Sequence, residues 1–198
     1  MLAVLGLGSN RNYDSLDSVH VLACACTNLR PLFDSLSFSG VYRTKPMYVE
    51  QQPDFYNMAV CGETKLSCHE LLSKIHEIEA LFGRNRDNEI RNGERSLDID
   101  IELFGNERIN YTDNVDRMKN LEIPHPRICE RSFVLIPMLE VLPPDADIQN
   151  KELFEKSLEK NGSQGAVKCL SPSDFAKIVS ETGANYGRAG SRTESGNC

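Results

Sequence analysis

Apolar and polar side chains run along this chain in blocks, and the period of each block predicts an element. Residues 2–7 are a short apolar run that reads as a buried strand, ending in the turn Gly8-Ser9-Asn10. Leu16, Val19, Leu22, Ala23, Cys26 and Leu29 recur at helical spacing and predict a first helix. Leu36, Phe38 and Tyr42 alternate with Ser35, Ser37, Ser39 and Arg43, which predicts a strand ending near Thr44. Residues 45–54 form a loop long for a hairpin, and Phe55 to Thr64 form a third strand. Ser67-Cys68-His69-Glu70 is a capping box. The face that follows it, Leu71, Leu72, Ile75, Ile78 and Phe82, predicts a second helix stopped by Gly83. After loop 84–95, Leu97, Ile99, Ile101 and Leu103 alternate with Ser96, Asp98, Asp100 and Glu102, a strand with one apolar and one acidic face.

The order strand, helix, strand, strand, helix, strand is the split βαβ unit. It predicts an α+β fold, a ferredoxin-like antiparallel sheet with helices on one face and the other face left for function. Pro124-His125-Pro126-Arg127 reads as a rigid turn, 132–140 as an apolar helix and 150–161 as another short helix. From about residue 171 small polar residues dominate, with apolar content at Phe175, Ala176, Ile178 and Val179. The expected division is a domain over 1–171 and a loosely ordered tail over 172–198.

The acidic strand carries the chemistry. Its period of two sets Asp98 and Asp100 about 6.6 Å apart along one face. Two such charges repel by roughly 2.5 kcal/mol at an effective dielectric of 20. A cation relieves that repulsion, and Mg²⁺ suits carboxylate oxygens and leaves positions for phosphates. The same pattern also fits the wet side of an antiparallel sheet. The preceding loop tips the balance, because Arg84, Arg86, Arg91 and Arg95 lie within twelve residues and guanidinium forks match phosphate oxygens. Carboxylate pair and arginine loop together are equipment for metal-assisted phosphoryl transfer. There is no Walker loop and no kinase catalytic loop. Phe55 and Asn57 share a strand face, a ring beside an amide, which suits a flat heteroaromatic ligand.

The chain has 198 residues and a net charge of −7, which argues against a general nucleic-acid binder. No apolar run reaches membrane-spanning length, and the N-terminus lacks a basic leader. The seven cysteines form no C-x-x-C pair, and reduced thiols in a cytoplasmic protein fit them best.

Four ordered segments over about residues 2–145 resemble the 6-hydroxymethyl-7,8-dihydropterin pyrophosphokinase family of folate biosynthesis. They are Leu7-Gly8-Ser9-Asn10; Tyr42-Arg43-Thr44 with Asp54-Phe55-Tyr56-Asn57; Gly83-Arg84-Asn85-Arg86 with Arg95-Ser96-Leu97-Asp98-Ile99-Asp100; and Pro124-His125-Pro126-Arg127 with Arg131-Ser132-Phe133. The resemblance implies transfer of diphosphate from ATP to the pterin's hydroxymethyl group, releasing AMP. It implies that Asp98 and Asp100 bind two Mg²⁺ ions and that Arg84, Arg86, Arg95 and His125 contact the ATP phosphates, with Arg84, Arg95, Asp98 and Asp100 acting catalytically. It implies that Phe55 and Phe133 sandwich the pterin, that Asn57 reads its edge, and that the stretch through Thr44, Lys45 and Met47 lies along it. Asn92 and Glu94 stand where some members carry Trp and Pro. A monomer acting on small molecules, with no nucleic acid or membrane partner, is expected. Two other readings use the same residues: a ferredoxin-like nucleotide-binding module without chemistry, and a different two-metal nucleotidyltransferase.

Overall fold

The computed structural model describes residues 1–47, 51–84 and 93–189, with side chains to residue 183. The first half runs β1 (Leu2–Ser9), α1 (Ser18–Leu29), β2 (Leu36–Phe38), β3 (Val41–Thr44), β4 (Phe55–Glu63), α2 (Cys68–Leu81) and β5 (Asp98–Phe104). The second half adds β6 (Ile109–Tyr111), β7 (Leu121–Ile123), α3 (Ser132–Val141), α4 (Lys151–Asn161), β8 (Val167–Leu170) and α5 (Pro172–Ala189). The main sheet has the order β5-β1-β4-β3-β8, with β2 also on β4, and every pairing is antiparallel. This is the expected α+β, ferredoxin-like arrangement. β6 and β7 pair along their length as a separate antiparallel ribbon.

Local chemistry sets the boundaries. Ser67 and Glu70 form the reciprocal capping box at the start of α2, as expected. The single strand predicted over 35–44 is two strands, because Ser39 and Gly40 leave the ladder between them. Ser39 Oγ accepts the Ala59 N–H at 2.9 Å, and Gly40 N–H donates to Glu140 Oε2 at 2.8 Å. A Cβ on Gly40 would lie 2.6 Å from the Leu170 carbonyl, so only glycine lets β8 close on β3. β1 runs on through Gly8 and Ser9, which pair with Asn57 and Tyr56, so the predicted turn starts later.

Helices lie on both faces of the sheet, whereas the expectation put them on one. Ala3, Leu5 and Leu7 of β1, Met58 and Val60 of β4, and Ile99 and Ile101 of β5 pack under α1 and α2. On the opposite face Val4, Ala59, Cys61 and Leu103 pack under α3 and α4 through Leu135, Met138 and Phe154. That second core fills only the half of the face distant from Ser9. The other half is open, and the cleft described below lies there.

A second correction concerns β5. The predicted alternation places Leu103 with Leu97, Ile99 and Ile101, but Leu103 belongs to the opposite core. The register explains this. Leu5 pairs with Ile101 and Val4 with Leu103, so Glu102 is an extra residue in a β-bulge. After the bulge the side-chain alternation restarts on the other face.

The tail also differs from expectation. Residues 172–189 are helical, and Phe175 and Val179 are fully buried, with Thr182 beside them. Ser171 caps the helix, and Phe175 meets Phe38 edge-on at 5.9 Å between ring centres. The positions 175, 178, 179 and 182 make a helical stripe that docks on α1. Composition averaged over the tail hides a stripe this narrow. α1 is buried nearly all round, and α5 is what covers its outer side. Residues 190–198 lie outside the described residues. Among the described residues no helix is long and apolar enough to cross a membrane, and Cys24, Cys26, Cys61 and Cys68 are buried free thiols.

Candidate functional site

The cleft is built on the ends of β3, β4, β1 and β5, in that spatial order, with the start of α3 as its far wall. Two glycines make its floor. A Cβ on Gly8 would lie 3.0 Å from Asn57 Oδ1, and a Cβ on Gly6 would lie 2.8 Å from Glu102 Oε1. The missing side chains at these two positions let Glu102 and Asn57 lie close over β1.

At the β5 end, Asp98 and Asp100 line the cleft together with Arg95 and Arg131. Arg84 and Arg95 both bond Asp98, one to each carboxylate oxygen, and Arg84 also pairs with Glu79. Glu79 comes from the last turn of α2 and is itself buried; it accepts the Ile99 N–H at 2.8 Å. One carboxylate thus fixes the helix to the strand and aims Arg84 at Asp98. Arg95 is placed by Asn10: its N–H donates to Asn10 Oδ1 at 2.8 Å, and the Asn10 N–H donates back to the Arg95 carbonyl at 3.1 Å. The Asn10 amide also donates to Gln52 Oε1 and the Pro53 carbonyl, so the loop before β4 is tied to the same asparagine.

The electrostatics follow from crowding of like charge. Burial, then the neighbouring Asp98 and Glu79, push Asp100 up to about 7. Glu102 is pushed well above the ordinary carboxylate range by burial and by Asp100. His125 stands beside this group and is held down to about 4, by burial and by the positive charge of Arg131. Its Nδ1 accepts the Arg127 N–H at 3.2 Å, so the neutral ring carries its proton on Nε2. His125 is therefore a neutral donor at neutral pH.

At the β3–β4 end, Thr44, Lys45, Met47, Phe55 and Asn57 line the cleft. The Asn57 amide donates to Thr44 Oγ1 at 2.8 Å, which fixes its orientation. Phe133 projects from the first turn of α3 into the same cleft, with the Arg131 guanidinium 5.7 Å from its ring centre. So ten of the expected residues gather in one place: Thr44, Lys45, Met47, Phe55 and Asn57 at one end, Phe133 on the wall, and Arg84, Arg95, Asp98 and Asp100 at the other end. His125 sits next to the carboxylates, outside the cleft lining. Arg86 lies outside the described residues.

Four contributors were not singled out by sequence. Glu79 lies one position from the apolar stripe of α2, and Asn10 lies in a turn. Arg131 carries an obvious charge, but its approach depends on the fold. Glu102 belongs to the acidic alternation, and only the bulge reveals where it points.

The donor set fits Mg²⁺ in kind: two carboxylates that line one cleft, with oxygen ligands of the sort this ion prefers. Two carboxylates are too few to enclose such an ion, whose other positions go to water and phosphate oxygens.

A model of the 7,8-dihydro-6-hydroxymethylpterin-pyrophosphokinase (HPPK) family matches residues 4–143. A 2-amino-4-hydroxy-6-hydroxymethyldihydropteridine pyrophosphokinase of Haemophilus influenzae is 32% identical over 84% of this chain and 96% of its own length. A folate synthesis bifunctional protein of Arabidopsis thaliana is 43% identical over 58% of this chain, a region that is 22% of that protein. The chain thus spans about a fifth of the length of the plant relatives it matches. The HPPK-DHPS of Plasmodium falciparum, solved with pteroate, has the same fold, with a TM-score of 0.61 over 84% of this chain and 45% of that chain, at 16% identity.

Proposed function

The chain belongs to the 7,8-dihydro-6-hydroxymethylpterin-pyrophosphokinase family, and from that premise we propose that it transfers diphosphate from ATP to the hydroxymethyl group of 6-hydroxymethyl-7,8-dihydropterin in folate synthesis. One observation carries this reading. A cleft flanked by two aromatic rings and read by an asparagine at one end opens at its other end onto paired carboxylates and converging arginines. The two ends lie two strand spacings apart, about 9.5 Å, which a bicyclic ring with a one-carbon arm spans.

Phe55 and Phe133 hold the pterin ring between them, and Asn57, oriented by Thr44, reads its polar edge. Lys45 and Met47 border that end. Arg84 and Arg95, now on Asp98, are the groups that take the triphosphate oxygens, with Arg86 of the same loop and the neutral Nε2–H of His125. Asp98 and Asp100 would hold two Mg²⁺ ions, which neutralise phosphate charge when bound. The acceptor oxygen attacks the β-phosphorus, and an oxygen–phosphorus bond forms there. The bond from that phosphorus to the α,β-bridging oxygen breaks, AMP leaves with the electron pair, and the hydroxyl proton goes to solvent. Positioning and charge stabilisation supply most of the rate. The protein acts as a monomer on small molecules.

The test is to incubate the full chain with Mg-ATP and hydroxymethyl-dihydropterin and identify the products. AMP and the pterin diphosphate are expected. Release of pyrophosphate instead would mean a nucleotidyltransferase, and binding without turnover would mean a nucleotide-binding module; either would overturn the proposal.

A further inference from the structure

Glu102 is an unexplained group in this cleft. Its side chain is 1% exposed, it lines the cleft, and its Oε2 has no hydrogen-bond partner among the described residues. Leaving a buried polar atom unpaired is costly, and native folds seldom do so without a reason. The placement is specific. The bulge in β5 makes Glu102 the unpaired residue, and the missing side chain of Gly6 leaves the slot in which its Oε1 lies. Within the same cleft Arg131, at the start of α3, has a buried Nε–H that is also without a partner among the described residues. An orphan carboxyl oxygen and an orphan N–H in one cleft are the complement of a hydroxyl group, which both donates and accepts.

Position selects which hydroxyl. Glu102 follows Asp100 on β5, across the cleft from Asn57 and Thr44. A pterin whose ring edge meets Asn57 turns its hydroxymethyl arm towards β5. We propose that Glu102 is a positioning residue for the acceptor, its carboxyl oxygen taking a hydrogen bond from the substrate's hydroxymethyl O–H and orienting that oxygen beside Asp100. The inference rests on the reading of the cleft as a pterin diphosphotransferase site. It does not depend on the carboxyl's protonation, since either form keeps a lone pair for the O–H.

The test compares the affinities of 6-hydroxymethylpterin and 6-methylpterin, measured by calorimetry with Mg²⁺ and a non-hydrolysable ATP analogue. The wild-type chain is expected to prefer the hydroxymethyl ligand by roughly three- to tenfold, the range of one hydrogen bond. Glu102→Gln keeps a carbonyl acceptor and should keep the preference. Glu102→Leu should reduce it to under about twofold while 6-methylpterin still binds. Replacing a buried carboxyl with an apolar group of similar size usually leaves a fold intact, and melting curves check this. Gly6→Ala, which displaces the carboxyl, should act like Glu102→Leu. A full preference surviving in Glu102→Leu, or no preference in the wild type, would overturn the proposal. Failure of the wild type to bind either pterin would instead overturn the functional reading, and the inference with it.

Discussion

Two halves of one sheet face share the same strands and differ in nearly everything else. Towards Ser9 the face presents Gly6, Gly8, Asn57, Asp98, Asp100 and Glu102 and borders a cleft. One or two residues further along, β1, β4 and β5 present Val4, Ala59, Cys61 and Leu103, sealed under α3. The second half is a well-filled core. The first keeps a glycine floor, carboxylates that raise one another's pKa and, among the described residues, buried polar atoms without a partner. A fold stabilised only for its own sake would extend the apolar half upward. The contrast locates the site, because the costs cluster where a ligand can offset them.

Removing the metal-facing charge is the strongest way to break that contrast. Asp98→Asn leaves Arg84 and Arg95 facing a neutral amide and takes a ligand from the proposed Mg²⁺ pair. Turnover should fall by orders of magnitude, with pterin affinity in the absence of nucleotide nearly kept. Near-normal turnover would end the metal assignment. A change in the sealed half should do the reverse. Leu135 is fully buried, and Leu135→Ala should cost about 2–5 kcal/mol in denaturant unfolding with little effect on turnover per folded molecule. A large loss of turnover without loss of stability would mean that the halves are not separable.

Helix α5 is a control far from that face. Stopping the chain after Ser171 exposes the surface of α1 that Phe175 and Val179 cover. The melting temperature should drop by several degrees at least, with the cleft chemistry retained at low temperature. An unchanged melting point would restore the view of residue 172 as the start of a dispensable tail. The smallest effect belongs to the stacking ring: Phe55→Ala should weaken pterin binding by roughly tenfold through lost burial and ring contact, and unchanged affinity in calorimetry would refute the sandwich.

How far the sequence reached follows the range of the interactions. Strand β5 and the capping box of α2 were legible, because period-two spacing and short-range capping are local; the gathering of Phe55, Asn57, Asp98 and Phe133 was legible only through the family resemblance. The split at Ser39 and Gly40 was not, since it depends on Glu140, a hundred positions away. Nor was the bulge at Glu102, where the sequence alternation is unbroken and only pairing with Val4 and Leu5 shifts the face. α5 was missed because its apolar stripe is narrow, and its worth depends on the side of α1 that it covers. Arg84 and Asp98 were identified, but their pairing and the buried Glu79 behind Arg84 were not.

The open half keeps charge at the expense of stability, and the carboxyl of Asp100 is where that cost can be read. Its folded pKa, raised to about 7, means that the folded form favours the protonated carboxyl. Stability from this group is full below its ordinary value near 3.8 and is lost as pH rises through about 7. His125, held down to about 4, works the opposite way up to its ordinary 6.5, so the quantity to read is a difference between two proteins. Melting temperatures of the metal-free wild type and of Asp100→Asn should be compared from pH 4 to 8. The variant should gain on the wild type steadily with pH, be the more stable protein above pH 7, and yet turn over poorly with Mg-ATP and pterin. A wild type that stays as stable as Asp100→Asn across that range, or a variant that keeps its turnover, would contradict it.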